Sequence, residues 1–231
     1  MAIRDRADQT RSDQAYNPVP TPPTGVTRLP VDLSTGILTD QDIADLCQGE
    51  NPMISPFQPT QVRVNEAGHK ILSYGLSSMG YDVTLDEDFL IFTNVNAAII
   101  DPHNMTDSNY VKKKAQTDEN GHKYVILPPN SYLLGVTKEY FRMPPDAIIF
   151  ALGKSTYARA GLIINVTPIE PGFHGNVVIE AFNGTSSPMK VYAHEGIAQF
   201  MCFRASKRCG VSYGDRAGKY QGQRGMTTAR I

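Results

Sequence analysis

Glu180 stands in the run Val177-Val178-Ile179-Glu180-Ala181-Phe182 and shares the stretch between Arg159 and Lys190 with only one other formally charged residue, Glu170. A carboxylate among apolar neighbours is costly unless its acidity changes or it finds a partner. Strand alternation sets Val178, Glu180 and Phe182 on one face and Val177, Ile179 and Ala181 on the other, so neither face reads as solvated. Two readings follow: a working carboxylate of perturbed acidity, or a sheet-edge Glu with its head in water or paired with an Arg. A second group, Gly153-Lys154-Ser155-Thr156-Tyr157-Ala158-Arg159-Ala160-Gly161, follows one apolar run and precedes another. It sets a hydroxyl pair between two cations, and such donors match phosphate oxygens.

The chain that must position these groups has 231 residues, 41% hydrophobic and 19% charged, which suits a single sizeable core. A formal net charge of -1 offers no electrostatic ground for binding nucleic acid or an acidic membrane. No apolar run approaches the roughly 18 residues of a membrane span, and no signal-peptide segment is legible, so a cytoplasmic protein is expected. Cys47, Cys202 and Cys209 form no Cys-x-x-Cys pair and read as reduced. The histidines lack zinc-binding spacing, so no protein-held metal is expected. Neither a phosphate-binding Gly-x-x-x-x-Gly-Lys-Ser/Thr loop nor a dinucleotide fingerprint occurs, so a nucleotide would be bound another way.

Residues 1–34 mix Arg and Asp with a cluster at Pro18, Pro20, Pro22 and Pro23, the composition of a flexible or extended arm. A β domain over 35–205 and a C-terminal segment over 206–231 follow. Thr39 and Asp42 resemble a capping box opening a short helix over about 40–48, which Gly49 ends. Short apolar runs then succeed one another: 62–64, 81–85, 89–93, 97–100, 124–127, 132–137, 148–152, 162–166, 176–183, 189–193 and 198–204. Their spacing predicts a sandwich or barrel rather than βαβ units. Residues 107–122, with Lys112, Lys113 and Lys114, read as a solvated hairpin or excursion. The glycine-rich, cationic C-terminal segment reads either as disordered or as a lid that orders over an anion.

Taken in order, Gly153 to Arg159, Asn165 to Gly175, Ile179-Glu180, Ala193 to Gln199 and Gly218 to Gln223 resemble the dCTP deaminase family of the dUTPase-like superfamily. Ser78 to Val83 and Ile91 to Asn96 add to the likeness, which covers about residues 37–231. The resemblance implies a mainly β, distorted jelly-roll or barrel subunit with a short N-terminal helix, assembled as a homotrimer with shared active sites. It implies conversion of dCTP and water to dUTP and ammonia without zinc. By position, Glu180 would be the general base, with Ser155 and Arg159 holding the water and the carboxylate. The stretch Lys154, Ser155, Thr156, Tyr157, Ala158 and Arg159 would contact nucleotide, and the main chain of Val178 and Ile179 the base edge. Gln199, Tyr213, Lys219 and Gln223 would grip or cover the triphosphate. Magnesium would arrive bound to the triphosphate, with no protein ligand, and inhibition by dTTP stays open. Also open are a bifunctional enzyme yielding dUMP and diphosphate, a non-catalytic nucleotide-binding trimer, and a modified cytosine as the base. Ala181 and Phe182 depart from the family pattern beside the proposed base.

Overall fold

The short apolar runs, broken by Gly, Pro, Asn and Asp, fold as antiparallel strands. The computed structural model describes residues 35–93, 95 and 99–230; the arm expected over 1–34 lies outside them. In chain order the elements are β1 (Gly36–Ile37), α1 (Asp40–Leu46), β2 (Ile54–Ser55), β3 (Val62–Val64), β4 (Lys70–Ser77), β5 (Gly80–Phe92), β6 (Tyr110–Lys114) and β7 (Gln116–Thr117). There follow β8 (Lys123–Leu127), β9 (Tyr132–Arg142), β10 (Ala147–Gly153), α2 (Ser155–Arg159), β11 (Leu162–Asn165), β12 (His174–Asn183), β13 (Met189–Ala193) and β14 (Gly196–Arg204). A branched 11-stranded sheet has the spine β1-β14-β5-β9-β12-β11, and β13-β8-β7 form a 3-stranded sheet. The mainly β expectation holds.

The long strand β5 organises the larger sheet. Its first part, Tyr81 to Thr84, pairs with β14, and its second, Leu85 to Ile91, pairs with β9 across a register shift between Leu85 and Phe89. Such irregularities bend and twist a strand, so β5 carries the sheet around the core instead of leaving it flat. Tyr81, Phe89, Phe141 and Phe200 fill that core, with the Phe141 and Phe200 rings 5.3 Å apart. The helix α1 buries Ile43 against the core and begins with the expected reciprocal cap between Thr39 and Asp42.

Several strands depart from the sequence reading. The runs 81–85 and 89–93 belong to one strand that passes through the charged Asp86-Glu87-Asp88, where the Glu87 carbonyl accepts from the Ala115 amide and Asp88 pairs with Lys114. The lysine run is not wholly an excursion: β6 pairs along β5 while Lys112, Lys113 and Lys114 keep their side chains exposed. For the strand expected over 97–100, residues 97 and 98 lie outside those described, and Ile99 and Ile100 are not in a strand. The unexpected β4 contains Gly75 at φ +105°, where a Cβ would stand 2.4 Å from the Thr60 carbonyl oxygen. Close backbone approach therefore requires a residue that otherwise reads as a strand breaker.

A carboxylate that no local sequence pattern marks is sealed inside this sheet. Glu139 of β9 is 3% exposed and accepts bonds from the Thr84 amide at 3.1 Å and hydroxyl at 3.0 Å. Burial pushes its pKa up to about 7, against the opposing pull of the Thr84 bonds. Between the ordinary glutamate pKa and about 7 the folded chain holds a proton that the unfolded chain has released. Stability contributed here therefore falls as pH rises through that window and is level above it. A pKa change of about 2.5 corresponds to roughly 3 kcal/mol. Glu139→Gln should remove about that much of the difference in unfolding free energy between pH 5 and pH 8, measured in urea. An unchanged difference would refute the assignment.

Candidate active site

Pairing places Glu180 at the boundary between core and cavity. Within β12 it lies opposite Leu134 of β9 on one side and Asn165 of β11 on the other. Val177, Ile179 and Ala181 are buried, whereas Val178 and Glu180 are half-buried and Phe182 is exposed. The alternation is as expected, but the Glu180 face is not a second apolar layer: it forms the wall of a cavity of about 640 Å³. Because β11 ends at Asn165, the edge of β12 beyond Glu180 loses that partner strand. Val166, Thr167 and Pro168 turn aside there and line the cavity beside Val178.

Burial raises the Glu180 pKa to about 7, opposed only by a main-chain hydrogen bond. No side chain among the described residues donates to this carboxylate or forms an ion pair with it. Tyr110 and Tyr132 line the same cavity. Burial first, then the neighbouring Tyr132 and Glu180, hold the Tyr110 phenol well above its ordinary pKa. Tyr110 was missed because it opens β6, whose lysines hide a strand; the pair Tyr110-Val111 before them was the available signal.

The stretch from Lys154 to Arg159 divides by direction. Lys154 places its ammonium 2.7 Å from Asp82 in a pair whose side chains are 13% and 8% exposed. Tyr157 is buried, and its hydroxyl accepts a bond from the Tyr192 amide at 2.8 Å. These two side chains root α2 in the domain and leave Ser155, Thr156, Ala158 and Arg159 exposed. Neither Ser155 nor Arg159 lines the Glu180 cavity, and no hydrogen bond or ion pair joins either to Glu180 among the described residues. Gln199 is also apart from the cavity, donating to the Ser77 hydroxyl at 3.1 Å. Ile179 has its side chain in the core, while Val178 lines the cavity.

The C-terminal segment, described through residue 230, lies along the turn before β12. The Tyr213 amide donates to the Pro171 carbonyl at 2.9 Å, and its ring packs edge-on to Phe173 with centroids 5.6 Å apart. Arg216 pairs with Glu170, and Gln221 bridges the His174 amide and the Gly172 carbonyl. Tyr213, Tyr220, Gln223 and residues Thr227 to Ala229 thereby line the cavity. Lys219 is exposed and donates to the Arg230 carbonyl at 3.2 Å. Glu170 and Glu180 are the acidic residues of the lining. Among the described residues no group of three or more His, Cys, Asp or Glu is arranged to hold a metal ion. Nor is any described helix long and apolar enough to cross a membrane.

A family model described as dCTP deaminase-like matches residues 37–205. The chain is 50% identical to a dCTP deaminase of Alcanivorax borkumensis over 78% of its own length and 92% of that protein. It is likewise 50% identical to a dCTP deaminase of Paraburkholderia phymatum over 77% of this chain and 90% of the relative. Its fold is similar to a crystal structure of 2'-deoxycytidine 5'-triphosphate deaminase from Agrobacterium tumefaciens, with TM-score 0.53 and 17% identity. That match covers 74% of this chain and spans about half, 49%, of the other.

The buried ion pair beneath α2 makes a direct prediction. Asp82→Ala strands the Lys154 ammonium in a site with little access to water and should destabilise the fold by roughly 3 to 5 kcal/mol. Removing both partners should cost less than the sum of the single changes, as read in a double-mutant cycle of urea unfolding. Additive losses would mean that the pair is not coupled.

Proposed function

The chain belongs to the dCTP deaminase-like family, and we propose that the cavity around Glu180 is where it converts dCTP and water to dUTP and ammonia. One observation carries this reading: an unpartnered carboxylate on a core strand faces a cavity, its pKa raised by burial to about 7. Water has a pKa near 15.7, so even this carboxylate lies about 9 units, or roughly 12 kcal/mol, short of producing free hydroxide. Glu180 must therefore accept the proton as the water oxygen bonds to C4 of cytosine. Glu180 hands that proton to the ring nitrogen N3, then takes the proton of the new C4 hydroxyl and delivers it to the departing amino group as the C4–N bond breaks and the C4 carbonyl forms. The products, dUTP and ammonia, account for every atom of dCTP and water. The main chain about Val178 and Ile179, at the open edge of β12, is suited to reading the base edge.

Ser155 and Arg159 enter the mechanism from a second copy of the chain. Their exposure on a rooted α2 supports this, as do Phe150, Leu152, Ile163 and Phe182, which are 40% to 59% exposed on neighbouring strands. Such apolar surface favours self-association, and a homotrimer with active sites at its interfaces satisfies both features. Arg159 would then lower the Glu180 pKa and keep it ionised, while Ser155 holds the attacking water. Thr156 and Ala158 border the nucleotide beside them; Lys154 and Tyr157 act by holding α2. Gln199, Tyr213, Lys219 and Gln223 attend the triphosphate. Magnesium arrives on the triphosphate: Glu170, the other acid of the lining, is occupied by Arg216, which leaves phosphate oxygens and water as ligands. The C-terminal residues 206–231 act as the lid, dTTP competes as a nucleotide of like shape, and the cytoplasm is the setting.

The bifunctional alternative uses Glu170, which by resemblance takes the place of the carboxylate that activates water in dUTPases. Its pairing with Arg216 favours deamination alone. Chromatography of dCTP incubations with magnesium should show dUTP and ammonia; dUMP with diphosphate would establish the bifunctional enzyme, and binding without turnover the non-catalytic one. Glu180→Gln should retain nucleotide binding and lose turnover by at least about a hundredfold. Because the base works ionised, kcat/KM should rise with pH along a limb of apparent pKa at or below about 7. Arg159→Ala should move that midpoint upward. A rate indifferent to both substitutions would refute the mechanism.

A further inference from the structure

Asn176 occupies the start of the wall that Glu180 completes, and each of its polar groups is engaged. On one side its Nδ2 donates to the Thr137 carbonyl at 3.0 Å and the Glu139 carbonyl at 3.1 Å. On the other, its amide donates to the Gln223 carbonyl at 3.0 Å and its carbonyl accepts from Gln223 Nε2 at 2.8 Å. Its Oδ1 accepts from the Gly225 amide at 3.4 Å. One residue therefore joins β9 to the C-terminal segment.

The local backbone is built for this junction. The ladder between β12 and β9 shifts register between Asn176 and Val178. The Thr137 hydroxyl bridges the gap, accepting from the Val177 amide at 2.9 Å and donating to the Glu139 carbonyl at 2.8 Å. The shift frees β9 carbonyls for the Asn176 amide group. Next to it, Gly175 lies at φ +155° and pairs with Gln223; a Cβ there would stand 3.1 Å from the Gln223 carbonyl oxygen. A side chain at 175 would crowd the segment at the point where Asn176 grips it.

We propose that Asn176 is a positioning residue for dCTP turnover, clasping Gln223 so that Tyr220 to Ala229 stay closed over the cavity of Glu180. The assignment rests on the reading of that cavity as the dCTP site. Beyond the clasp the segment returns to itself: the Arg230 amide donates to the Tyr220 hydroxyl, and Lys219 and Arg230 exchange side-chain to main-chain bonds. Thr227, Thr228 and Ala229 are thus held over the cavity in a loop that follows two adjacent attachments to the β domain, His174 with Gln221 and Gly222, and Asn176 with Gln223 and Gly225.

Asn176→Ala removes its three side-chain contacts, to the Thr137 and Glu139 carbonyls and the Gly225 amide, and so unbraces the main-chain groups of residue 176 that hold Gln223. Trypsin cleavage after Lys219 and Arg224, followed by mass spectrometry on the nucleotide-free protein, should accelerate by about tenfold. The KM for dCTP should rise by a similar factor with kcat changed less than about twofold, the pattern of lost uniform binding. Gln223→Ala, which alters the C-terminal segment and not the core, should reproduce the faster cleavage in the absence of nucleotide, and the double variant should be cleaved no faster than either alone. A role confined to the β9 bulge would instead lower the urea midpoint, leave cleavage unchanged and add to the effect of Gln223→Ala; that result overturns the clasp. Cleavage reads the clasp without nucleotide, so accelerated cleavage in a protein that does not turn over dCTP would refute the functional reading separately.

Discussion

Partial desolvation of the Glu180 carboxylate is the constraint on which the site depends, and β12 imposes it by being two different surfaces at once. Val177, Ile179 and Ala181 bind the strand to the core, and this fixes the direction in which Glu180 must point. The strand also has unequal edges: β9 accompanies it throughout, whereas β11 stops at Asn165, opposite Glu180. A longer β11 would cover the edge and fill the cavity. A shorter one would expose the carboxylate to water and return its pKa toward the ordinary value.

Perturbed acidity by itself does not single out this residue. Glu139 reaches a similar pKa for the same reason, yet it is sealed beneath Thr84 and faces no comparable space. Glu195, also buried, receives the Leu72 amide and His122 Nδ1, each at 2.8 Å, and Asp82 receives Lys154. Of these four acids Glu180 alone lacks a side-chain or neighbouring main-chain donor and borders the large cavity. Structural carboxylates are satisfied by donors that the fold supplies, while one intended for reaction keeps its lone pairs for what enters.

This contrast also marks what the sequence could disclose. The isolation of Glu180 among apolar residues was legible, as were the Thr39–Asp42 cap and the strands that alternate cleanly, because all are local patterns. Glu139 was hidden because Lys138 precedes it and its donor, Thr84, is 55 residues away. Lys154 was legible as a cation near hydroxyls, but its partner Asp82 lies 72 residues earlier, so its inward direction could not be read. For Tyr110, the polar run that follows concealed the strand placing it near Glu180. Each omission involves a partner chosen by topology, which local periodicity does not encode.

The separation of Glu180 from Ser155 and Arg159 has a physical logic within the proposed mechanism. An arginine held beside Glu180 in the isolated chain would pin the carboxylate in a permanent ion pair and lower its basicity before any substrate arrived. Supplied from a second copy, the guanidinium can meet the carboxylate at a distance set by the interface, close enough to preserve its charge and far enough to leave room for water and cytosine. That demands a rigid mount, since an exposed five-residue helix has little stability of its own. The Asp82–Lys154 pair and the buried Tyr157 supply it, one just before the helix and one within it. The most buried side chains of this motif thus determine where its exposed ones can act.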